Sequence, residues 1–346
     1  MFFQIPSIKT VLSIKELLTS FANVFKSGPN HAFQTTSRSI ALVTGASRGI
    51  GRGIALQLAE AGACVYMTGR RPSASLSAND PKLPTLEQTA QEIAKKGGES
   101  VVVFCDHANS EDVRSLFNKI EADNQGKLDI LVNNAFSGAS SMANNVGKKF
   151  YECAPEYLDE VNDVGLRNYY FCSVYAARMM AKKNNGLIVN VSSAGGLQYF
   201  FNVPYGVGKA AVDRLTADMG LELKESKVTV VSVWPGVVKT ELGTNMHETD
   251  LIEKMTGLPQ ATLDTMWKTA ETPEFVGKSV VGLACDKNKL KKSGRIWITA
   301  DLASEYKFRD VNGLVPANMR SVKSTLLFLA GTDWQAGCLP LSNCLK

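Results

Sequence analysis

From residue 40 onward, short runs rich in β-branched residues alternate with longer amphipathic stretches, and this alternation narrows the choice of fold more than any other feature of the chain. The runs are IALVT (40–44), ACVYMT (63–68), SVVVFC (100–105), LDILVN (128–133), GLIVNVS (186–192), VTVVSVW (228–234) and RIWIT (295–299). They are dominated by apolar residues rather than alternating with polar ones, as strands are when both faces of their sheet are covered. Seven such runs separated by helical patterns predict a doubly wound α/β fold with a seven-stranded parallel sheet and helices on both faces. Ligands of such sheets gather at the carboxyl ends of strands, so the residues directly after each run are the first candidates for a site.

The first run leads straight into TGASRGIGRGIALQLAEAG, with Gly45, Gly49 and Gly51 in the turn and a helical pattern behind it. Glycine lets the backbone approach an anion closely, and the free N–H groups and positive end of the following helix favour a phosphate. Strand, glycine turn and helix together predict a Rossmann-type dinucleotide site that includes Gly45, Ser47, Arg48, Gly49, Ile50 and Gly51, although the G-x-x-x-G-x-G spacing departs from the common G-x-G-x-x-G. The second run ends in Gly69, Arg70 and Arg71, where a site for NAD carries an acid for the ribose hydroxyls. Arg48 and Arg52 add cations beside the turn, and arginine can grip a phosphate through paired hydrogen bonds. The expected cofactor is therefore NADPH/NADP+, and spacing does not select which arginine meets the 2′-phosphate.

Tyr205 and Lys209, in YGVGK, stand one helical turn apart, so a phenol and an ammonium share a face. The pair is common on ordinary helix surfaces, and by itself leaves that reading open. Composition removes other classes. The net charge is +5, of which +3 lies in the first 39 residues, and no basic run or stripe suits a nucleic acid. His31, His107 and His247 are scattered, and the seven cysteines lack C-x-x-C spacing, so neither a zinc site nor a redox pair is expected; the cysteines read as reduced core residues. No apolar stretch is long enough for a conventional transmembrane helix.

Three regions follow. Residues 1–38 are rich in Ser and Thr, nearly free of acids, and contain IKTVLSIKELLTSFANVF, which resembles a mitochondrial targeting segment except that it uses Lys for Arg. An accessory surface helix or a membrane-interface helix is the alternative, which leaves the mitochondrion, the endoplasmic reticulum surface and the cytoplasm all open. Residues 39–300 are expected to form the α/β domain; residues 240–272 interrupt the alternation, and their Met and Trp residues read either as plain core or, given their place after a strand's carboxyl end, as a helical cover over a pocket. Residues 301–346 form a tail without a strand, to which no role is assigned.

The ordered set TGASRGIG, CD (105–106), NNA (133–135), Asn162, SSAGG, YGVGK and PGVVKT resembles the short-chain dehydrogenases/reductases over about residues 40–300. The resemblance implies that Asp106 holds the adenine and that Asn133 steadies the central strand against the cofactor ribose, although either could be a turn cap. It implies that Tyr205 is the general acid, with the Lys209 ammonium lowering its pKa and holding the ribose hydroxyls, and that Asn162 carries a proton relay through water. The usual spacing of serine to tyrosine would select Ser192, but matching S-x-G-G-L onto SAGGL selects Ser193, with one loop residue missing; Ser193 is the candidate for stabilising the substrate oxygen. Pro235, Gly236 and Thr240 would meet the nicotinamide, Thr240 doubling as a helix cap. Phe136 stands where the family has the last glycine of NNAG, an added apolar wall.

Taken together, these residues predict an NADPH-dependent carbonyl reductase, reversible as an alcohol dehydrogenase. The aromatic residues Phe136, Tyr199, Phe200, Phe201 and Trp234 suggest a bulky apolar substrate, and the resemblance implies steroid-like or xenobiotic ketones, with Ser193, Phe136, Tyr199 and Tyr205 around them. An NAD-linked alcohol dehydrogenase and a non-catalytic nucleotide-sensing scaffold are the competing readings; Gly69 and Arg70 oppose the first, and the intact Asn162, Ser193, Tyr205 and Lys209 set opposes the second. The expected partners are a small-molecule carbonyl compound and further copies of the chain, as dimer or tetramer, paired through helices at about 155–182 and 204–226.

Overall fold

The computed structural model describes residues 38–71, 83–249, 251–318 and 320. The targeting-like segment, His31, Cys338 and Cys344 lie outside the described residues, as does most of the tail. Every expected strand is present, with ends displaced by a residue or two: β1 (Ile40–Val43), β2 (Cys64–Gly69), β3 (Glu99–Phe104), β4 (Ile130–Asn133), β5 (Gly186–Val191), β6 (Val228–Trp234) and β7 (Arg295–Ile298). They form one sheet in the order β3-β2-β1-β4-β5-β6-β7, with every neighbouring pair parallel. All residues of β1, β4, β5 and β6 are buried, which is why these segments read as apolar runs. The strand order reverses between β1 and β4, and at such a reversal ligands of doubly wound sheets bind in the crevice outside the carboxyl ends of the strands.

The helices begin where the sequence supplies partners for their free N–H groups. α1 (Gly49–Glu60) grows directly out of the glycine turn. α2 (Leu86–Lys95) opens on a capping box of Thr85 and Gln88, and α3 (Ser110–Asp123) on Asn109, whose side chain accepts from the N–H groups of Glu111 and Asp112. After β4 come the short α4 (Ala139–Asn144) and α5 (Tyr157–Asn162), then the long α6 (Asn168–Lys182). α7 (Val203–Glu222) follows β5. The interruption expected at residues 240–272 consists of α8 (Glu241–Glu248), α9 (Leu251–Thr256) and α10 (Gln260–Lys268). α11 (Pro273–Cys285) and α12 (Thr299–Tyr306) complete the set, α12 ending on Lys307 in the left-handed conformation. Among the described residues no helix is long and apolar enough to cross a membrane.

The long helix expected at 155–182 is broken. Between α5 and α6 the chain leaves helical geometry at Val164 (φ −116°, ψ 97°) and Gly165 (φ 147°). A Cβ on Gly165 would lie 2.7 Å from Cδ2 of Phe136, so the break makes room for the ring that replaces a glycine in the sequence motif.

A buried polar ladder crosses the middle of the sheet. The Asn133 amide donates to the side-chain oxygen of Asn190 (2.8 Å) and to Oγ of Ser173 on α6 (3.0 Å), and Asn190 donates in turn to Oγ1 of Thr216 on α7 (2.8 Å). Buried polar groups cost free energy unless paired, so this ladder fixes which face of α6 and α7 lies on β4 and β5. Trp234, expected near the pocket, is instead buried with Ile298 and Ala300, its indole N–H donating to the Asp213 carboxylate at 3.1 Å.

α1 crosses α11 at close range because neither carries a side chain at the crossing. A Cβ on Gly53 would collide with the Pro273 carbonyl, and one on Gly277 would lie 2.5 Å from the Gly53 carbonyl oxygen. Overpacking of this kind costs about 1–3 kcal/mol. Gly53→Ala and Gly277→Ala should therefore each lower the urea midpoint, and the double variant by less than the sum of the two. Unchanged midpoints would show that the two helices do not meet at these residues.

Candidate active site

The glycine turn is held from three sides. Gly45 has φ +68°, and a Cβ there would lie 2.8 Å from Cα of Ala135. The Ala46 N–H donates to the Thr68 carbonyl at the end of β2 (2.9 Å), and the Asn134 amide donates to the carbonyls of Thr44 (2.9 Å) and Gly45 (3.1 Å). The Ser47 carbonyl accepts from Oγ1 of Thr89 at 3.2 Å. Ile50 is half-buried in the first turn of α1, and Gly51 must be bare because a Cβ would run into the Gly45 carbonyl. The Gly49 N–H donates to Oε2 of Glu241 at 2.8 Å, so the start of α1 already holds a carboxylate. That bound anion and the bare turn fit the phosphates of a dinucleotide.

The arginines divide. Arg48 and Arg70 are exposed, whereas Arg52 is paired with Glu92 and, at 3.9 Å, with Glu274; Arg71 lies 4.7 Å from the centre of the Phe104 ring. Arg52, expected as a phosphate cation, is thus held between two carboxylates. Asp106 is exposed after β3, where its Oδ1 accepts from the Ala108 N–H (3.1 Å) as a turn cap does. Asn133 points into the buried ladder rather than the crevice, and its Oδ1 is buried without a partner among the described residues.

Tyr205, Lys209, Ser193 and Asn162 come together where β5 ends and α7 begins. Asn202 caps α7 by accepting from the Tyr205 N–H (2.9 Å), and Pro204 sits in the first turn, where it forfeits no helical bond. Lys209 is 7% exposed, and its ammonium donates to the Val191 carbonyl at 3.2 Å; the Tyr169 hydroxyl donates to the same oxygen at 3.3 Å. Ser192 Oγ donates to the Lys209 carbonyl (3.2 Å), which turns it away from the crevice. Ser193 hydrogen-bonds the Tyr205 side chain and accepts from the Gly195 N–H at 3.1 Å. Of the two serines, the one chosen by the SAGGL match meets the phenol. Asn162 closes α5 and donates to the Leu158 (3.0 Å) and Pro204 (3.1 Å) carbonyls, fitting against α7 where Gly208 lacks a side chain.

Burial controls the charges here. It raises the Tyr205 phenol above its ordinary value, and the Ser193 hydrogen bond works against the rise. The Lys209 ammonium lies 5.8 Å from the centre of the Tyr205 ring but is turned to the Val191 carbonyl, and burial brings Lys209 itself down to about 8, opposed by Asp213. Removing either charged form from water is costly, so burial acts on both groups in the direction of neutrality.

Phe136 meets Tyr205 edge to face with ring centres 6.0 Å apart, and the Lys209 ammonium lies 5.3 Å from the Phe136 centre. Phe201 meets Tyr205 from another side at 5.1 Å, and Phe136, Phe201, Tyr205 and Met255 of α9 all pack against the buried Met142, Tyr157 and Val161. Tyr199 does not join them; it is 73% exposed, and its hydroxyl donates to the Phe201 carbonyl.

After β6, Pro235 and Gly236 turn the chain, and Thr240 caps α8 by accepting from the Gly243 N–H (2.9 Å). This segment is laced to Glu271. The Gly236 N–H donates to Glu271 Oε1 (2.9 Å), Thr299 Oγ1 donates to the same oxygen (2.5 Å), and the backbones pair through Glu271 N–H to Val237 O (2.7 Å) and Lys239 N–H to Glu271 O (2.8 Å). Glu271 is buried, and its Oε2 has no partner among the described residues. Burial pushes this carboxyl up to about 7; the bonds from Thr299 and Gly236 oppose that, and Asp310 reinforces it. Asn134, Glu241 and Glu271 escaped the sequence reading. Asn134 lay inside the quoted NNA motif, but nothing local marks the two glutamates, whose partners are remote in the chain.

A profile described as short chain dehydrogenase matches residues 39–251. The chain is 46% identical over 301 residues to human dehydrogenase/reductase SDR family member 1, covering 87% of this chain and 92% of that protein. The mouse protein of the same name is 45% identical over 307 residues, with the same coverage of 87% and 92%. A variant of the actinorhodin polyketide ketoreductase, crystallised with NADPH, superposes with a TM-score of 0.61 at 26% identity, over 77% of this chain and 97% of that one.

Because the Glu271 carboxyl is raised by folding, its contribution to stability is present below the ordinary carboxylate range and is lost as pH climbs through about 7. Glu271→Gln should therefore gain on the wild type between pH 5 and pH 8, melting higher at pH 8 by on the order of 5 °C. A difference between the two proteins that stays flat with pH would contradict the buried, raised carboxyl.

Proposed function

This chain belongs to the short-chain dehydrogenase family of oxidoreductases, and from that premise we propose that it is an NADPH-dependent reductase converting bulky apolar ketones to alcohols, reversibly. The observation that carries the reading is the convergence of Ser193 on the Tyr205 phenol, one helical turn from buried Lys209, at the carboxyl end of β5. Nicotinamide, when bound, supplies or accepts the hydride. The protein handles a single proton.

In the direction of reduction, the Tyr205 hydroxyl donates its proton to the substrate's carbonyl oxygen, and burial suits it to this task by keeping the phenol protonated. Ser193 Oγ donates a second hydrogen bond to that oxygen as charge develops on it. Lys209, adjacent to the same turn of α7, holds ribose hydroxyls and restores the proton through Asn162 and water. In the reverse direction Tyr205 acts as the base, and the positive charge of an oxidised ring then favours the phenolate.

Gly45, Ser47, Gly49, Ile50 and Gly51 receive the phosphates, Thr240 with Pro235 and Gly236 receives the carboxamide, and Asp106 receives the adenine. Exposed Arg48 and Arg70 supply the charge for a 2′-phosphate and support NADPH over NADH, with Arg52 reinforcing the turn from its carboxylate pair. Phe136 and Phe201 flank Tyr205, and Met255 packs with them on the buried Met142, Tyr157 and Val161, an apolar setting that supports a ketone with substantial hydrocarbon surface, such as a steroid or xenobiotic.

The test is consumption of NADPH and NADH over a panel of aliphatic, aromatic and steroidal ketones. Faster turnover with NADPH is expected, and Tyr205→Phe should reduce kcat by at least about 100-fold while leaving NADPH binding within a few-fold. Equal use of NADH would overturn the cofactor assignment. Tight binding with no turnover of any ketone would favour a nucleotide-sensing scaffold instead.

A further inference from the structure

Glu241 is the first residue of α8, and Thr240 before it fixes the start of that helix through Gly243. From there its carboxylate reaches the N–H of Gly49, the first residue of α1, at 2.8 Å. The methyl of Thr240 approaches the same glycine, within 3.3 Å of the point a Cβ would occupy. α1 has no side-chain cap from Arg48 and no acid in its own first turn, so its positive end is answered by a carboxylate from a distant part of the chain. This is the position that the glycine turn offers to phosphate, and the helix carrying Glu241 is the first of the three that interrupt the strand–helix alternation.

We propose that the Glu241 carboxylate is an internal anion that competes with the dinucleotide phosphates for the start of α1, and so limits how tightly the cofactor is held. The inference rests on the assignment of the glycine turn as the cofactor site. When a pyrophosphate arrives, the carboxylate either swings away, moving the start of α8 with it, or stays beside a like charge. Both outcomes weaken binding and speed release. An oxidoreductase that exchanges its cofactor in every cycle gains from such a brake, because a helix terminus and a glycine cradle would otherwise retain the dinucleotide.

Glutamine at this position keeps the chain length and an oxygen for the Gly49 N–H while removing the charge. Titration of the full chain with NADPH, read by nicotinamide fluorescence, should show Glu241→Gln binding about three- to tenfold tighter than wild type. Stopped-flow displacement should show correspondingly slower release. The difference should shrink as potassium chloride is raised, since partly exposed charges are screened. Glu241→Ala provides a second variant without the charge and should also bind more tightly, with thermal melts confirming that both remain folded. Equal or weaker binding by the folded glutamine variant overturns the proposal; weaker binding would make the carboxylate a strut of the bound form. If the wild type itself binds neither NADPH nor NADH, the cofactor reading fails first and takes this inference with it, an outcome distinct from a wild type that binds and a variant that gains nothing.

Discussion

The junction of β5 with α7 is the constraint on which the site depends. One carbonyl, that of Val191, accepts from both the Lys209 ammonium and the Tyr169 hydroxyl, while Ser192 reaches back to the Lys209 carbonyl. These bonds set the height of α7 against the strand end, and the Asn202 cap sets where the helix starts. With both fixed, Tyr205 can stand only beside Ser193 and among Phe136 and Phe201. The ladder from Asn133 through Asn190 to Thr216 holds the same helix farther along. An error in that register would leave several buried polar groups unpaired at once, which is how a fold of small individual energies can specify one arrangement.

The same burial that fixes the geometry sets the electrostatics. In water a lysine beside a tyrosine would favour the phenolate, but here both groups are removed from solvent, and desolvation acts on each in the direction of neutrality. The protein by itself therefore holds an acid, not a base. The Ser193 hydrogen bond moderates the effect without reversing it. Around the cofactor turn the pattern differs. There a carboxylate sits at a helix start, and Arg52 is shared between Glu92 and Glu274, so charge is compensated by neighbours rather than suppressed by burial.

Much of this was legible in the sequence because it is local. The seven strands announce themselves as apolar runs, the glycine turn lies between a strand and a helix, and Tyr205 and Lys209 share a helical face. The short SAGGL pattern likewise pointed to Ser193, which stands beside Tyr205, rather than Ser192, which bonds the Lys209 carbonyl. What stayed hidden depends on distance in the chain. No periodicity reveals that Phe136 displaces the backbone at Gly165, that Glu241 crosses to Gly49, or that Glu271 binds the turn at Gly236. Trp234 looked like a pocket wall because its partner Asp213 belongs to another element. The balance between lysine field and desolvation was likewise unreadable, since it turns on how deeply the pair is buried.

That balance admits a direct measurement. Carbon-13 labelling of tyrosine Cζ, with Tyr205 assigned by its loss in a Tyr205→Phe sample, gives the ionisation of this one phenol in the protein alone. Titration above the ordinary value near 10, moving higher still in Ser193→Ala and little in Lys209→Met, is the result expected when burial leads and the serine opposes. A transition at or below that value in the wild type, lost on replacing Lys209, would contradict this account.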